Sequence, residues 1–295
     1  MQIIESSEFL ADKKTVVVAI SGGADSVCLT HYFWELAKYP IILAHFNHHV
    51  RNEESDQDEK LVTKLAEKLE LPLEIGHWKT PQKSEAGARE ARYKFLRKIQ
   101  KKHNAQAICL GHHQDDQIET ILFNFIRGTG LKGLQGMPLF ENQLFRPLLN
   151  CAKKEILDYC KKHKLEYSVD HTNFDINYSR NLLRLKIIPE LEKINPSLGK
   201  TLLQNSQNYQ KIHKHLQNQM QPFLGKNKIK IKDFLELDEA VQTELIKEKI
   251  KNHTEASFKK VEEILRIIHG GRGNKFKKFG GIKVSIRKGE IVFDS

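Results

Sequence analysis

Six residues, Ser21-Gly22-Gly23-Ala24-Asp25-Ser26, interrupt an apolar stretch with hydroxyls, bare backbone and one acid. Two glycines let backbone N–H groups approach a phosphate closely, and a helix starting just after them turns its positive end toward the same anion. Ser21 and Ser26 add hydroxyl donors. Asp25 would repel phosphates unless a cation intervenes, so the set suggests a magnesium-bridged polyphosphate. The spacing is neither GxxxxGK[ST] nor GxGxxG, which sets aside two common phosphate loops. Asp25 and Ser26 also suit an ordinary helix start, and at this level that reading stays open.

Other residues are spaced for chemistry as well. Asp115, Asp116 and Glu119 occupy about one helical turn, with Asp116 and Glu119 three apart on one face. Arg89 and Arg92 share a face in the same way, and Arg180 and Arg184 are four apart. A solvated acidic helix start and surface salt bridges are the plain alternatives. In HFNHHVR, His45, Asn47 and Arg51 are candidates for the rim of a site, or else packed residues at a strand end. His112 is expected to begin the helix that carries Asp116, and His112-His113 is not a metal pair without further ligands.

The elements that must position these residues can be read from periodicity. Strands are expected at Thr15–Ile20, Ile41–Phe46, Leu73–Ile75 and Ala107–Leu110, and helices at Asp25–Lys38, Glu53–Leu69, Glu85–Lys102 and Asp115–Ile126. Such alternation implies right-handed βαβ crossovers, an α/β fold whose parallel sheet has helices on both faces. Continuous runs such as VVVAI suit strands buried on both sides. Ligands of such sheets sit beyond the carboxyl ends of the strands, where the Ser21–Ser26 turn falls. RGTGLKGLQGMP (residues 127–138) reads as a long glycine-rich loop, a lid or a connector. Helical pattern returns at Lys153–Lys162, Arg180–Glu192 and Ser197 to Met220. A lysine-rich unit follows, with two amphipathic helices and a hairpin expected at Gly280-Gly281.

Composition bounds the class. The 295 residues suffice for one large domain and a smaller α+β one, and no apolar run approaches a membrane span. The segment MQIIESSEFLADKK lacks a basic n-region, so no export signal is expected. Cys28, Cys109, Cys151 and Cys160 form no CxxC pair, which favours reduced thiols in a cytoplasmic protein over disulfides, zinc or redox chemistry. A formal net charge of +11 favours a polyanionic partner.

SGGADS matches the SGGxDS signature of the PP-loop ATP pyrophosphatases. Further blocks follow in order: AHFNHHVR (Ala44–Arg51) with EESDQDE (Glu53–Glu59), EAGAREARYKFL (Glu85–Leu96), GHHQDDQIETILFNFIRGTGLKGLQGM (Gly111–Met137), RPLL (Arg146–Leu149) and YSRNLLRLKIIPEL (Tyr178–Leu191). Together they resemble the tRNA(Ile)-lysidine synthetase family over nearly all of the first two hundred residues, and more weakly beyond. The resemblance implies a PP-loop, Rossmann-like ATP-binding catalytic domain over residues 1–199, a helical linker over 200–222 and a small basic tRNA-contacting domain over 223–295. The implied reaction attaches L-lysine to the wobble cytidine of the CAU-anticodon isoleucine tRNA. The cytosine C2 oxygen attacks the α-phosphate of ATP, pyrophosphate leaves, and the lysine ε-amine displaces AMP.

The resemblance also implies roles. Ser21, Gly22, Gly23, Ala24, Asp25, Ser26 and His112 would bind ATP, with Asp25 on Mg2+. Asp25, Arg92, Asp116 and Glu119 would be catalytic, Arg92 near the α-phosphate. Asp116, Glu119 and Arg184 would bind lysine. Read from the residues, Arg272, Lys275, Lys277 and Lys278 of the basic unit, with Phe276 and Phe279 packed beneath, would meet tRNA phosphates or else form a solvated basic hairpin. A homodimer stays open. Rival readings are a sulfur-transferring PP-loop enzyme, which commonly wants reactive cysteines, and a non-catalytic RNA-binding protein with a nucleotide fold.

Overall fold

The computed structural model describes residue 3 and residues 9–49, 53–78, 85–168, 179–270 and 276–294. Arg51, Arg272 and Lys275 lie outside the described residues. By internal packing the chain divides into Met1–Ser206 and Gln207–Ser295.

In the first unit, strands β1 (Val16–Ala19), β2 (Ile41–Asn47), β3 (Leu73–His77) and β4 (Ala107–Cys109) alternate with helices α1 (Ala24–Leu36), α2 (Glu53–Lys68) and α3 (Glu85–Lys102). After β4 come α4 (Gln114–Ile126), a one-turn α5 (Leu131–Leu134), the short strands β5 (Phe140–Glu141) and β6 (Leu144–Phe145), and α6 (Lys153–Lys162). The sheet order is β3-β2-β1-β4-β6-β5, parallel throughout except for the β5–β6 hairpin. Successive residues of β1 explain its unbroken valines. Val16 and Val18 pack with Leu29 and Phe33 of α1, Val62 and Leu65 of α2, and Ile156 of α6, whereas Val17 packs with Leu96 and Ile99 of α3. Both faces of the strand are therefore covered, and a polar residue at any of the three would be buried without a partner.

The order reverses between β2 and β4 around β1, so the segments leaving β1 and β4 diverge at one sheet edge. That edge receives the Ser21–Ser26 turn and the Gly111–Asp116 segment. The hairpin between β5 and β6 is not marked by the usual Asn-Gly pair. Asn142 and Gln143, at φ 50° and 60°, make its turn instead.

Downstream, α7 (Ser179–Leu182) continues through a π-helical turn, Leu183–Ile187, into α8 (Ile188–Ile194). Helix α9 (Leu198–Leu224) contains the whole stretch 200–222 expected as a linker. The second unit holds β7 (Lys228–Lys230), α10 (Ile231–Leu235), α11 (Glu239–Ile250), α12 (Phe258–His269), β8 (Phe276–Phe279), β9 (Ile282–Arg287) and β10 (Glu290–Asp294). Its antiparallel sheet runs β7-β10-β9-β8, with the β8–β9 hairpin turning at Gly280-Gly281. Val241, Leu245, Val261, Ile264 and Ile268 line the buried faces of α11 and α12 at helical spacing. None of the described helices is long and apolar enough to cross a membrane.

Candidate active site

The turn after β1 is shaped by its own side chains. Ser21 N–H donates to Ser26 Oγ at 3.1 Å, Ser26 Oγ donates to the Gly23 carbonyl at 2.9 Å, and the two hydroxyls are 3.2 Å apart. Gly22 sits at φ +95°, a conformation that L side chains rarely adopt, and its carbonyl accepts the Ser168 N–H at 2.9 Å. Gly23 occupies the N-cap of α1 and no side chain caps that helix, so its first N–H groups face the turn as an anion would require. Underneath, His45 is buried with Nδ1 2.9 Å from the Ile20 carbonyl. Burial holds its pKa below the ordinary value against that bond, so it acts as a neutral prop rather than a charge.

Asp25 is held from two sides. Lys153 at the start of α6 meets Oδ1 at 2.6 Å, and His113 Nε2 stands 3.8 Å from Oδ2. Gly111 passes so close that a Cβ there would lie 3.1 Å from the Asp25 carbonyl carbon and 3.2 Å from Ser26 N. Backbone cannot yield as a flexible side chain can, which ties the loop after β4 to the turn after β1. The start of α4 also differs from expectation. His113, not His112, is its N-cap, with Nδ1 accepting the Asp115 N–H at 3.3 Å while Asp116 Oδ2 accepts the His113 N–H at 2.9 Å. His112 lies outside the helix.

His112 sits among cations. Burial drives its pKa down to about 3; Asp116 opposes this, and Arg146, Arg92 and Arg89 reinforce it. Burial likewise lowers the pKa of Arg92 and of Arg146, and Tyr93 is the first opposing influence on both. Arg146 Nη1 donates to the Pro138 carbonyl at 2.7 Å. The Nε atoms of Arg92 and Arg146 and Nδ1 of His112 are buried with no hydrogen-bond partner among the described residues. Buried donors are nearly always satisfied, so two orphan guanidinium nitrogens close to His112 suit an anionic ligand. Arg146 stands in the RPLL block, yet the sequence assigns it no role, because β6, which delivers it, is only two residues long.

The third group joins α4 to the π-helical turn. Glu119 is buried, and Arg184 Nε meets its Oε1 at 2.5 Å while Nη2 stands 3.6 Å from Asp116 Oδ1. Burial raises the pKa of Glu119 in spite of Arg184. At Asp116 burial pulls upward too, but His113, His112, the backbone bond and Arg184 together prevail and hold its carboxyl below the ordinary range. The two acids expected on one helix face are thus set apart, Glu119 pushed above the ordinary carboxylate value and Asp116 held below it. A π turn widens the helix locally, and here it carries the arginine.

Other candidates divide. Asn47 donates to Glu59 Oε2 at 2.9 Å, so it braces α2 against β2. Residues 133–137 are pinned: Gln117 holds the Met137 backbone from both sides, Asn124 donates to the Gly133 carbonyl, and Ser206 Oγ donates to the Gln135 carbonyl. This half of the glycine-rich segment is a fixed wall rather than a lid. In the second unit Lys277 pairs with Glu263 of α12, an acid the sequence does not place beside it. Lys278 is exposed. Phe279 packs inward as expected, but Phe276 is exposed, with Lys283 Nζ 4.3 Å over its ring.

Comparison with known proteins adds to this geometry. The model of the PP-loop domain family matches residues 2–191. A tRNA(Ile)-lysidine synthase of Bacteroides thetaiotaomicron is 40% identical over 205 residues, 67% of this chain and 48% of the relative. One of Bacillus cereus is 36% identical over 228 residues, 72% and 48%. The chain thus spans about half the length of the curated relatives it matches. Among solved structures, the U34-tRNA thiolase NcsA from Methanococcus maripaludis aligns with a TM-score of 0.57 at 19% identity, covering 68% of this chain and 73% of that one, a likeness of fold.

Proposed function

Because the chain belongs to the PP-loop domain family, we propose that it ligates L-lysine to the wobble cytidine of the CAU-anticodon isoleucine tRNA, converting ATP to AMP and pyrophosphate. The observation that carries this reading is the two-sided site at the sheet edge. An uncapped helix start and two arginines whose buried Nε atoms lack partners lie on one side, and the buried Glu119 carboxylate held by Arg184 lies on the other, with Asp116 between His113 and Arg184. The first side suits a polyphosphate and the second an amino acid that carries both charges.

In the proposed reaction the Ser21–Ser26 turn and the first N–H groups of α1 cradle the triphosphate. Asp25, two residues into α1 and partly exposed, would hold Mg2+ by one carboxylate in exchange for Lys153, the usual economy of magnesium sites. When bound, that ion supplies charge neutralisation at the phosphates. Arg92 and Arg146 offer fixed N–H donors to the α-phosphate oxygens as the cytosine C2 oxygen bonds to phosphorus and pyrophosphate departs. Arg184 forks onto the lysine carboxylate, and Asp116 receives the ammonium. Glu119, with its raised pKa, takes the proton that frees the ε-amine. The amine then bonds to C2, and the C2–O bond breaks with the oxygen leaving on AMP.

All four cysteines are buried, and burial pushes the Cys109 thiol far up, which favours ligation over sulfur transfer at this site. Exposed Lys278 and Lys288 of the second unit would meet tRNA phosphates. The test is to incubate the protein with the isoleucine tRNA transcript, ATP, magnesium and radiolabelled lysine. Label should enter the tRNA with release of pyrophosphate, and Asp25→Asn or Asp116→Asn should abolish it with the fold intact. No label and no pyrophosphate, or full activity in both variants, overturns the proposal.

A further inference from the structure

We infer that His31, Glu35 and His163, at the ends of α1 and α6 away from the phosphate turn, form a site for a divalent transition metal of the zinc type. This rests on geometry alone and not on the reaction proposed above. His31 Nδ1 stands 3.7 Å from Glu35 Oε2, and His163 Nδ1 stands 3.4 Å from Glu35 Oε1. One ligand atom from each of the three residues falls within a mutual separation of 4.8 Å. Ligands about 2.05 Å from a tetrahedral zinc are about 3.4 Å apart, and each imidazole already stands near that distance from a different oxygen of the Glu35 carboxylate. Two imidazoles and a carboxylate suit zinc, nickel or copper and disfavour calcium or magnesium, which want oxygen alone.

The surroundings fit a ligand role. Tyr159 Oη donates to Glu35 Oε2 at 2.8 Å and lies 3.0 Å from His31 Nδ1. Its hydroxyl bond orients the carboxylate. Among the described residues Glu35 meets histidines, not lysine or arginine, at ion-pair distance.

The frame is preorganised. Helices α1 and α6 are joined at several points: Lys153 meets Asp25, Cys160 Sγ donates to the Ala24 carbonyl at 3.6 Å, and His163 stands beside Glu35. Ten residues separate Asp25 from Glu35, about 15 Å along the helix. A metal here would therefore clamp the two helices that supply Asp25 and Lys153 without entering the phosphate site.

Trp34 provides the readout, because its ring centroid is 5.5 Å from that of His31. The other tryptophan, Trp78, is removed as Trp78→Phe so that emission reports on Trp34. The full-length protein is stripped with chelator and titrated with Ni2+, which quenches nearby indole, and with Zn2+ by calorimetry. One equivalent of Zn2+ should bind at micromolar affinity or tighter and compete with the Ni2+ quenching. Glu35→Gln and His163→Asn, both at partly exposed positions, should each weaken binding at least tenfold and relieve the quenching. His31 is left intact because its burial would confuse lost ligation with a folding defect. Absence of stoichiometric zinc binding overturns the inference, as does binding unchanged in both variants. Loss of binding in Asp25→Asn, or in a His49→Asn control that breaks the His49–His77 pair, overturns it by placing the metal elsewhere.

Discussion

Replacing Arg184 with methionine keeps much of the side-chain volume and removes the guanidinium that meets Glu119 at 2.5 Å. The Glu119 side chain is only 4% exposed, and a buried carboxylate stripped of its partner costs about 3–5 kcal/mol. Protonation offers an alternative. Against an unfolded chain titrating at the ordinary 4.5, keeping the proton costs about 1.4 kcal/mol per pH unit, hence about 3.4 kcal/mol at pH 7 and about 0.7 kcal/mol at pH 5. The variant takes the cheaper route, so its deficit should be about 3 kcal/mol at pH 7 and below about 1 kcal/mol at pH 5. The sign follows from linkage. An acid whose folded pKa is raised contributes stability that is fully present below 4.5 and is lost as pH rises through the folded value. Asp116 runs the other way: its folded pKa is lowered, so its contribution is present above 3.8 and lost only as pH falls through the folded value, below both measurements. Urea unfolding of the wild type, Arg184→Met, Glu119→Gln and the double variant at the two pH values reads these terms. The double variant should recover most of the loss at pH 7. Equal deficits at pH 5 and pH 7, or a double variant as unstable as Arg184→Met, would refute the argument.

Arg92→Met removes a buried cation whose Nε has no partner, so urea stability should hold or rise by about 1 kcal/mol while calorimetry shows ATP affinity falling at least tenfold. A loss of stability with ATP binding unchanged would make Arg92 structural. Gly111→Ala drives a Cβ to 3.1 Å from the Asp25 backbone and should lower ATP affinity at least tenfold in a chain that still unfolds cooperatively; wild-type affinity would show that the two loops are not coupled. Gly76→Ala places a Cβ 2.5 Å from Phe95 Cδ2 on β3, remote from the turn, and should cost about 1–3 kcal/mol in urea with ATP affinity unchanged.

The parallel sheet was legible because its signal is redundant. VVVAI must be buried twice, and the helices between strands repeat their apolar residues at helical spacing. The short β5–β6 hairpin left no such pattern, and its Asn-Gln turn lacks a glycine. Within the site, residues adjacent in sequence were the readable ones: Ser21 to Ser26, and Asp116 with Glu119. Pairings across long separations were not. Nothing in the chain announces that Lys153 reaches Asp25, that Arg146 joins Arg92 around His112, or that Glu263 meets Lys277. His113 illustrates a nearer miss. Of two neighbouring histidines, only the N-cap geometry decides which one caps α4, and N-cap preference favours neither.

The ion pairs at the sheet edge bear on how both substrates would enter. Asp25 rests on Lys153, and Glu119 rests on Arg184, so each acid of the proposed chemistry is already matched by a base. Creating a new buried charge on binding would carry a desolvation cost of several kcal/mol, whereas exchanging partners does not. In the proposed reaction a magnesium polyphosphate brings a cation for Asp25 and phosphates for Lys153, and lysine brings a carboxylate for Arg184 and an ammonium for the acids. Arg92 and Arg146 are the exception, since their Nε donors wait without acceptors. On the proposed reaction, that asymmetry would put the preorganised electrostatics at the phosphorus under attack and leave the amino-acid side to be completed by its ligand.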